Sequence, residues 1–300
     1  MVITGKTGQA GIALVLALWL LLLISIMAAS YSYAVRTETM LTIHGVEAAK
    51  ARGVAEAGLW LALADLLKPQ SARRWRTDGS LYQVNFGGNN INLNIQDEAG
   101  KIDLNAADEA LLRGLLETTT QPGSDVTFLL HAILDWRDPD RLRRNPGAED
   151  SDYENAGYGA KDGPFNSIEE LRWVAGMTDD VYGMIRPALT IHHPLQPGIN
   201  PGVAPREALA AIPGADAELI DAFLTTRHNA HGTASAPVMN SGYFNAAEGA
   251  VFTVASEGMA GQGRLKLEMV VALDHGAAPP YSVLSWRESN RFAQPHDPTK

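Results

Sequence analysis

The chain has 300 residues, which is enough for more than one folded unit, because one hydrophobic core usually serves about 100 to 200 residues. The formal net charge of -10, from 24 basic and 34 acidic residues, argues against a broad phosphate-binding surface and so disfavours nucleic acid as a partner. The absence of cysteine excludes disulfides, thiolate metal sites and thiol catalysis, so the fold must be held by packing, with an oxygen-ligated ion as a further option.

An apolar segment near the amino terminus predicts a membrane-spanning helix. Residues 12–34 contain no charged side chain. About 23 residues with a helical rise of ~1.5 Å each are long enough to cross a hydrocarbon core about 30 Å thick. Good helix formers and an apolar stripe continue until Pro69, so we expect one helix that leaves the membrane and continues as a soluble helix. The alternative is a cleaved secretory signal, cut at Ala28-Ala29-Ser30.

Alternating apolar and polar residues predict an antiparallel sheet built from two distant parts of the chain. Residues 81–95 alternate in this way around the turn sequence Gly87-Gly88-Asn89-Asn90, which is typical of a β-hairpin. Three further strands are predicted at residues 250–256, 263–273 and 281–287, separated by Gly-rich or Pro-rich turns. We expect the hairpin and these strands to form one sheet packed on the amino-terminal helix, which gives an α+β fold.

The residues between the hairpin and the later strands predict a mainly α-helical insertion. Three segments share an Asn, a short polar turn and an apolar helix, and they begin at Asn105, Asn166 and Asn200. Asn105 and Asn166 are predicted N-caps because an acid follows three residues later, and Pro205 is predicted at the first helical position. Another helix is predicted to start at Ser124 and to end near Trp136.

The residues KTGQAG before the apolar segment resemble the leader of type IV pilin-like precursors, in which a prepilin peptidase cuts after a Gly and the new amino terminus is methylated. By that resemblance Gly11 ends the leader, and Ile12 becomes the first, N-methylated residue. Most such proteins carry Glu at the fifth mature position, which is Leu16 here. A carboxylate without a partner in hydrocarbon is costly, so a subunit with no neighbour above it should dispense with it. This substitution resembles the general secretion pathway protein K family, the large minor pseudopilins of type II secretion systems.

Short motifs in the order typical of that family extend the resemblance over nearly the whole chain. They are AEAGL at 55–59, GKIDLN at 100–105, LDWRD at 134–138, GAED at 147–150, SIEEL at 167–171, INP at 199–201 and VLSWR at 283–287. The implied parts are a prepilin leader, 1–11; the transmembrane part of the helix, 12–34; the first part of a pilin-like domain, 35–98; an inserted α-helical domain, 99–240; and the carboxy-terminal strands and tail, 241–300.

The resemblance also implies a function. It implies a minor pseudopilin that caps the tip of the periplasmic pseudopilus and helps to initiate its assembly for protein export across the outer membrane. The implied partners are minor pseudopilins I, J and H, the major pseudopilin and the prepilin peptidase. The implied location is the inner membrane, crossed once, with the soluble domain in the periplasm.

An acid-rich loop at residues 135–162 is a candidate calcium site. Ca²⁺ takes six to eight oxygen ligands in irregular geometry, whereas Mg²⁺ requires stricter octahedral order. The alternative is a solvated acidic loop neutralised by its own arginines, which are Arg137, Arg141, Arg143 and Arg144. The resemblance implies calcium binding in this region. The carboxylates predicted as ligands are Asp138, Asp140, Glu149, Asp150 and Asp152.

Residues 211–216 also resemble the hairpin of helix-hairpin-helix DNA binders, so a membrane-tethered periplasmic binding module of the DNA-uptake type is the alternative function. That chemistry needs a Gly-x-Gly hairpin whose amides face a phosphate, with cations beside it. Asp216 stands in place of the second Gly. Catalytic motifs are absent: the sequence has no His-Glu-x-x-His, Gly-x-Ser-x-Gly or Gly-x-x-x-x-Gly-Lys pattern, so we predict that the protein is not an enzyme.

Overall fold

The structure, a computed structural model, describes residues 10–119, 125–192, 198–229 and 241–289. The α-helices in these ranges are α1 (Ala10–Leu66), α2 (Glu109–Thr119), α3 (Val126–Arg137), α4 (Asp150–Tyr153), α5 (Asp179–Ile185), α6 (Arg206–Ala210) and α7 (Ala217–Asn229). The strands are β1 (Asp78–Phe86), β2 (Asn89–Asp97), β3 (Ile102–Asp103), β4 (Leu189–Thr190), β5 (Val251–Ala260), β6 (Gly263–Leu273) and β7 (Tyr281–Ser289). Short 3-10 helices span Gln70–Ala72, Glu98–Gly100, Glu154–Ala156, Ile168–Trp173, Arg186–Ala188 and Ser241–Tyr243.

The amino-terminal helix is continuous, as the sequence predicts. It runs for 57 residues and ends three residues before Pro69, which cannot continue a helical hydrogen-bond pattern. Its described side chains are exposed as far as Val46, and from Ala51 onward one face is buried. The helix therefore has an uncovered apolar half and a half that packs on the sheet.

The sheet has the strand order β1-β2-β5-β6-β7, and every neighbouring pair is antiparallel. The hairpin between β1 and β2 is confirmed, with Gly87 and Gly88 at φ 57° and 78°, the left-handed conformation that a two-residue hairpin turn requires. The three later strands are also confirmed. Two strands that are far apart in sequence, β2 and β5, are paired side by side.

A close approach fixes α1 on this sheet. Gly258 in β5 lies under the backbone of α1, and an added Cβ would fall inside contact distance of the Ala51 carbonyl oxygen and the Ala55 amide. The core of this layer lies between the helix and strands β2, β5 and β6, with Leu59 and Phe252 among its fully buried side chains. The expected α+β arrangement of a long helix on an antiparallel sheet is therefore confirmed.

The helical segment is inserted between β2 and β5 and has a hydrophobic core of its own. Several predicted helix starts are wrong. Asn105 does not cap α2; its side chain instead exchanges two hydrogen bonds with the backbone of Phe165, and the cap is Asp108, which accepts from Leu111 N at 2.8 Å. The predicted start at Ser124 lies outside the described residues, and α3 is capped by Asp125.

The next two motifs also differ from the prediction. Asn166 is not an N-cap, because Ser167 holds that position and the element that follows, Ile168–Trp173, is a 3-10 helix rather than an α-helix. Pro205 is the N-cap of α6 instead of its first helical residue. The sequence gives no indication of the short parallel pair β3–β4, which joins Ile102–Asp103 to Leu189–Thr190. At Asn105, a tertiary hydrogen bond thus overrides the local capping signal.

Candidate functional site

The predicted processing site lies at the start of α1. Gly11 and Ile12 are both within the helix, whereas residues 1–9 lie outside the described part of the chain. Leu16, the predicted fifth mature residue, is exposed with the apolar side chains that follow it. Within the described residues one helix is long and apolar enough to cross a membrane, and it is this one. Cleavage after Gly11 and methylation of Ile12 stay predictions.

The insertion is attached at the end of the sheet that points away from the exposed apolar half of α1. The turn between β5 and β6 lies beside Glu47, whose carboxylate accepts a hydrogen bond from Gln262 N at 3.2 Å. The insertion leaves the sheet after Asp97 and returns before Val251, at the opposite end of β5. Ten residues of strand at ~3.3 Å each separate these two ends by about 30 Å. The insertion therefore lies at the end of the sheet that is far from the apolar half of α1.

A buried carboxylate closes the junction between the sheet and the insertion. Asp97 is fully buried and accepts hydrogen bonds from Ala99 N at 2.9 Å and from Gly249 N at 3.0 Å. Burial raises the pKa of Asp97 to about 6. Asn200 ties the same two chain segments, because its N–H donates to Ala99 O at 2.7 Å and its side-chain amide donates to Ala247 O at 3.0 Å. The two segments that connect the sheet to the insertion, one after β2 and one before β5, are thus held together by these hydrogen bonds.

Ion pairs also connect the insertion to the far edge of the sheet. Arg186, in a 3-10 helix of the insertion, lies 2.7 Å from Glu268 of β6. Arg287 of β7 pairs with the same Glu268 and with Glu169 of the insertion. Arg287 is the last residue of the VLSWR motif, so that motif contributes a contact between the two parts of the molecule.

The acid-rich loop is organised around Asp135. This carboxylate is fully buried, accepts a hydrogen bond from Ala148 N at 3.0 Å and lies 2.7 Å from the guanidinium of Arg144, which also pairs with Asp138. Gly147 leaves the space that Asp135 occupies, because an added Cβ at that position would overlap the Asp135 carboxylate. Arg144 therefore neutralises one part of the loop, as the solvated-loop alternative expects.

Glu149 is the exception in this loop. It is 6% exposed and forms a capping box with Asp152 at the start of α4, but neither of its carboxylate oxygens has regular hydrogen-bond geometry to a donor that the structure describes. One oxygen each of Asp138 and Asp162 is likewise buried without such a partner. Burial, together with the negative charges of Asp135, Asp162 and Asp138, raises the pKa of Glu149 to about 7. Buried anionic oxygens without donors are the groups that a hard cation would satisfy.

The remaining predicted ligands already have partners. Asp140, Asp150 and Asp152 each accept a hydrogen bond from a backbone N–H of the loop, at 2.8, 3.0 and 2.9 Å. Asp150 and Asp152 also lie 3.8 and 3.4 Å from Arg141 and Arg143. In the described ranges no three Asp, Glu or His side chains converge into a ready-made metal site. The unpartnered oxygens fit a calcium ion in chemistry, and calcium binding stays a prediction.

The hairpin that resembles a DNA-binding module carries a carboxylate at its phosphate-facing position. Gly214 has a φ of 80°, as a tight hairpin requires. The next helix, α7, is preceded by Asp216, whose side chain accepts hydrogen bonds from Glu218 N at 2.8 Å and Leu219 N at 3.3 Å. These amides are the groups that would otherwise face a phosphate. The geometry therefore gives no support to the helix-hairpin-helix alternative.

Comparison with known proteins agrees with this architecture. Residues 89–194 match the family model described as type II secretion system (T2SS), protein K, first domain. The chain is also similar to the type II secretion system protein K of Klebsiella pneumoniae, with 28% identity over 240 residues, covering 71% of this chain and 73% of that protein. The matched model lies within the inserted segment and the second strand of the hairpin, and the relative extends the likeness over most of the chain.

In sequence, this chain is therefore similar to type II secretion system protein K. Its fold also matches a chain in the crystal structure of the GspK-GspI-GspJ complex from the enterotoxigenic Escherichia coli Type 2 Secretion System. That match has a TM-score of 0.54 and 15% sequence identity, and it covers 86% of this chain and all of the other. At that identity the match supports the fold alone. Proteins of this family are structural components of a secretion machine.

Two features of this structure are missing from the sequence-based set of candidate residues. Asp162 supplies an unpartnered buried oxygen near Glu149, although it lies ten residues beyond Asp152, the last predicted ligand. Its position in the acid-rich loop was the available signal. The second feature is the ion pair of Arg186 with Glu268. These residues are 82 positions apart in the sequence, so no local pattern could indicate the pair.

Proposed function

We propose that this chain is a minor pseudopilin that caps the tip of the periplasmic pseudopilus and helps to initiate its assembly for protein export across the outer membrane. The observation that carries the proposal is the membrane-distal position of the insertion relative to α1. A filament subunit with a large insertion at that end has no room for another subunit directly above it. Leu16 supports the same role, because no neighbour is then needed to pair with an acid at that position.

The proposed location is the inner membrane, crossed once by the first part of α1, with the insertion and the sheet in the periplasm. The proposed partners are minor pseudopilins I and J, in agreement with the related complex, together with H, the major pseudopilin and the prepilin peptidase. The chain acts in this proposal through protein contacts rather than through catalysis.

Labelling of assembled filaments tests the tip position. We would place an epitope in the insertion at Leu142, which is highly exposed, and detect it with gold-labelled antibody on pseudopili from cells that overproduce the major pseudopilin. The expected result is at most one gold particle per filament, at an end. Labels spaced along the filaments would contradict the proposal. An epitope on the major pseudopilin is the matched control, and it should label the whole length.

We further propose that Ca²⁺ binds the acid-rich loop and stabilises the insertion. The residues best suited to hold it are Glu149, Asp138 and Asp162, because each has a buried oxygen without a described partner. Asp140, Asp150 and Asp152 would then keep their structural hydrogen bonds. The ion would supply positive charge where the carboxylates repel one another. If a chelator leaves the unfolding temperature of the metal-loaded chain unchanged, this part of the proposal is wrong.

A further inference from the structure

The helix-facing side of the edge strand β7 is only partly covered by α1. In the β6–β7 register Leu273 faces Tyr281, and Met269 faces Trp286. Since paired residues point to the same side of a sheet, Tyr281 and Trp286 lie on the side that carries α1. The helix packs mainly on β2, β5 and β6, and it reaches β7 through side chains such as Trp60. Within the described residues, part of this side of β7 is therefore left without a second layer over it.

Large aromatic side chains line this uncovered strip. The ring of Trp60, on α1, lies 6.4 Å from the ring of Tyr281 and 6.3 Å from that of Trp286. Trp60 is 46% exposed, Val283 42% and Trp286 38%. We call these four residues the aromatic patch. Exposed Trp and Tyr side chains that are clustered in this way are typical of the centres of protein interfaces.

The patch is continuous with an exposed face of α1 that leads to the membrane. This face contains Val46, Ala49, Gly53 and Trp60. Their successive spacings of three, four and seven residues place all four on one side of the helix. All are exposed, and a Cβ at Gly53 would have no neighbour within 4 Å. At ~1.5 Å per residue this face is about 20 Å long, and the exposed apolar half of α1 continues it.

Arg52, the cation between the patch and β7, is already paired. Arg52 lies 2.7 Å from Glu288 of β7 and 3.1 Å from Glu56 of α1. These three side chains border the strip between α1 and β7, and the single cation, Arg52, is paired with both acids. An apolar helix could lie against the patch without leaving a cation there unpaired. A binding partner that follows the whole face must also enter the membrane beside α1.

We propose that the aromatic patch and the adjoining face of α1 bind the amino-terminal helix of a second membrane-anchored, pilin-like chain, which lies parallel to α1 and covers β7. The inference rests on the proposed function and specifies the surface that this function uses. The bound helix completes the layer that α1 leaves open. Burial of the Trp60 and Trp286 rings would then supply the centre of the interface.

Site-specific photo-cross-linking in membranes tests this proposal. The full-length chain, carrying a photoreactive phenylalanine analogue in place of Trp286, would be co-expressed with pseudopilins I and J from the same secretion system. The matched control carries the analogue in place of Trp173, which is 59% exposed and lies on the insertion. We expect position 286, but not position 173, to cross-link to the amino-terminal helix of I or J, as identified by mass spectrometry.

Truncation gives a second measurement. Trp286→Ala should lower the amount of I or J that co-purifies with the chain about tenfold or more, whereas Trp173→Ala should leave it unchanged. Trp286→Phe should keep most of the binding, which separates loss of contact from loss of folding. Thermal unfolding of each purified variant identifies any that fails to fold.

The outcomes separate this inference from the proposed function. If I and J co-purify with the wild-type chain but position 286 cross-links to neither, the inference is wrong and the proposed function stands. Cross-links from position 286 only to a second copy of this chain, or only to its own residues 290–300, also overturn it. If neither pseudopilin co-purifies with the wild-type chain, the proposed function fails, and the inference fails with it.

Discussion

Replacing Glu149 with Gln should have opposite effects on the stability of the chain without calcium and on its response to calcium. The pKa of Glu149 is raised from 4.5 to about 7, so the folded chain resists ionising this carboxyl group. At about 1.4 kcal/mol per pH unit this difference corresponds to about 3 kcal/mol above pH 7. Solvent screening near the surface reduces it to about 1 to 2 kcal/mol. Glu149→Gln removes that cost because the amide carries no charge.

The sign of the pH dependence follows from the same shift. An acid whose pKa is raised by folding binds its proton more tightly in the folded chain than in the unfolded chain. Without calcium, the stabilising contribution of protonated Glu149 is complete below pH 4.5 and is lost as the pH rises through about 7. A bound cation would offset this loss, so the stabilisation by Ca²⁺ should be larger at pH 7.5 than at pH 5.5.

The assay is thermal unfolding of the detergent-solubilised full-length chain, followed by tryptophan fluorescence. Trp136 lies in the insertion, 5.3 Å from the ring of Tyr153, and reports on unfolding near the loop. At pH 7.5 with chelator, Glu149→Gln should unfold a few degrees higher than the wild type, and added Ca²⁺ should shift it less. The control is Glu154→Gln, an exposed acid five residues away. A Glu149→Gln variant that unfolds earlier in chelator, or keeps the full calcium shift, would refute the reasoning.

Four further outcomes are expected. After co-expression with a prepilin peptidase, amino-terminal sequencing should begin at methylated Ile12; a start near Tyr31 would instead show ordinary signal cleavage. Gly258→Ala should destabilise the chain by about 1 to 3 kcal/mol in chemical unfolding, because a Cβ meets the backbone of α1, whereas Gly53→Ala, in open space, should stabilise it by about 0.5 to 1 kcal/mol. Leu16→Glu should lower secretion in a complementation assay, while Leu16→Ile should not, because a carboxylate without a neighbouring amine is costly in hydrocarbon. Asp97→Asn should flatten the fall in stability between about pH 4 and pH 6, where the raised pKa of Asp97 destabilises the folded chain as the pH rises; an unchanged pH profile would contradict that assignment.

The sheet and the long helix could be predicted because their signals are local and repeated. The alternation in β1 and β2 and the turn at Gly87-Gly88 determine a hairpin without help from the rest of the chain. The helix starts in the insertion were predicted less well. Asn105 has the residue type and spacing of an N-cap, yet its amide is used by the backbone of Phe165, 60 residues away. A long-range contact of this kind leaves no local pattern in a single sequence.

The acid-rich loop, too, could be predicted from the sequence only in part. Its composition and the family resemblance marked it as a candidate calcium site, with Glu149 among the predicted ligands. Composition could not separate the acids that bind backbone amides, such as Asp150 and Asp152, from those with unpartnered oxygens. That distinction depends on which side chain is buried, and Asp162 was omitted for that reason.

The junction at Asp97 has a consequence for how this molecule could be modified. Asp97 pairs with Phe252 in the β2–β5 register, so the chain leaves one strand and returns to its immediate neighbour. The whole helical segment therefore occupies the place of a hairpin turn, and replacing residues 98–250 with a short Gly-containing turn should keep the pairing of β2 with β5. Because the insertion has a hydrophobic core of its own, it should be exchangeable between related chains while the long helix and the sheet stay the same.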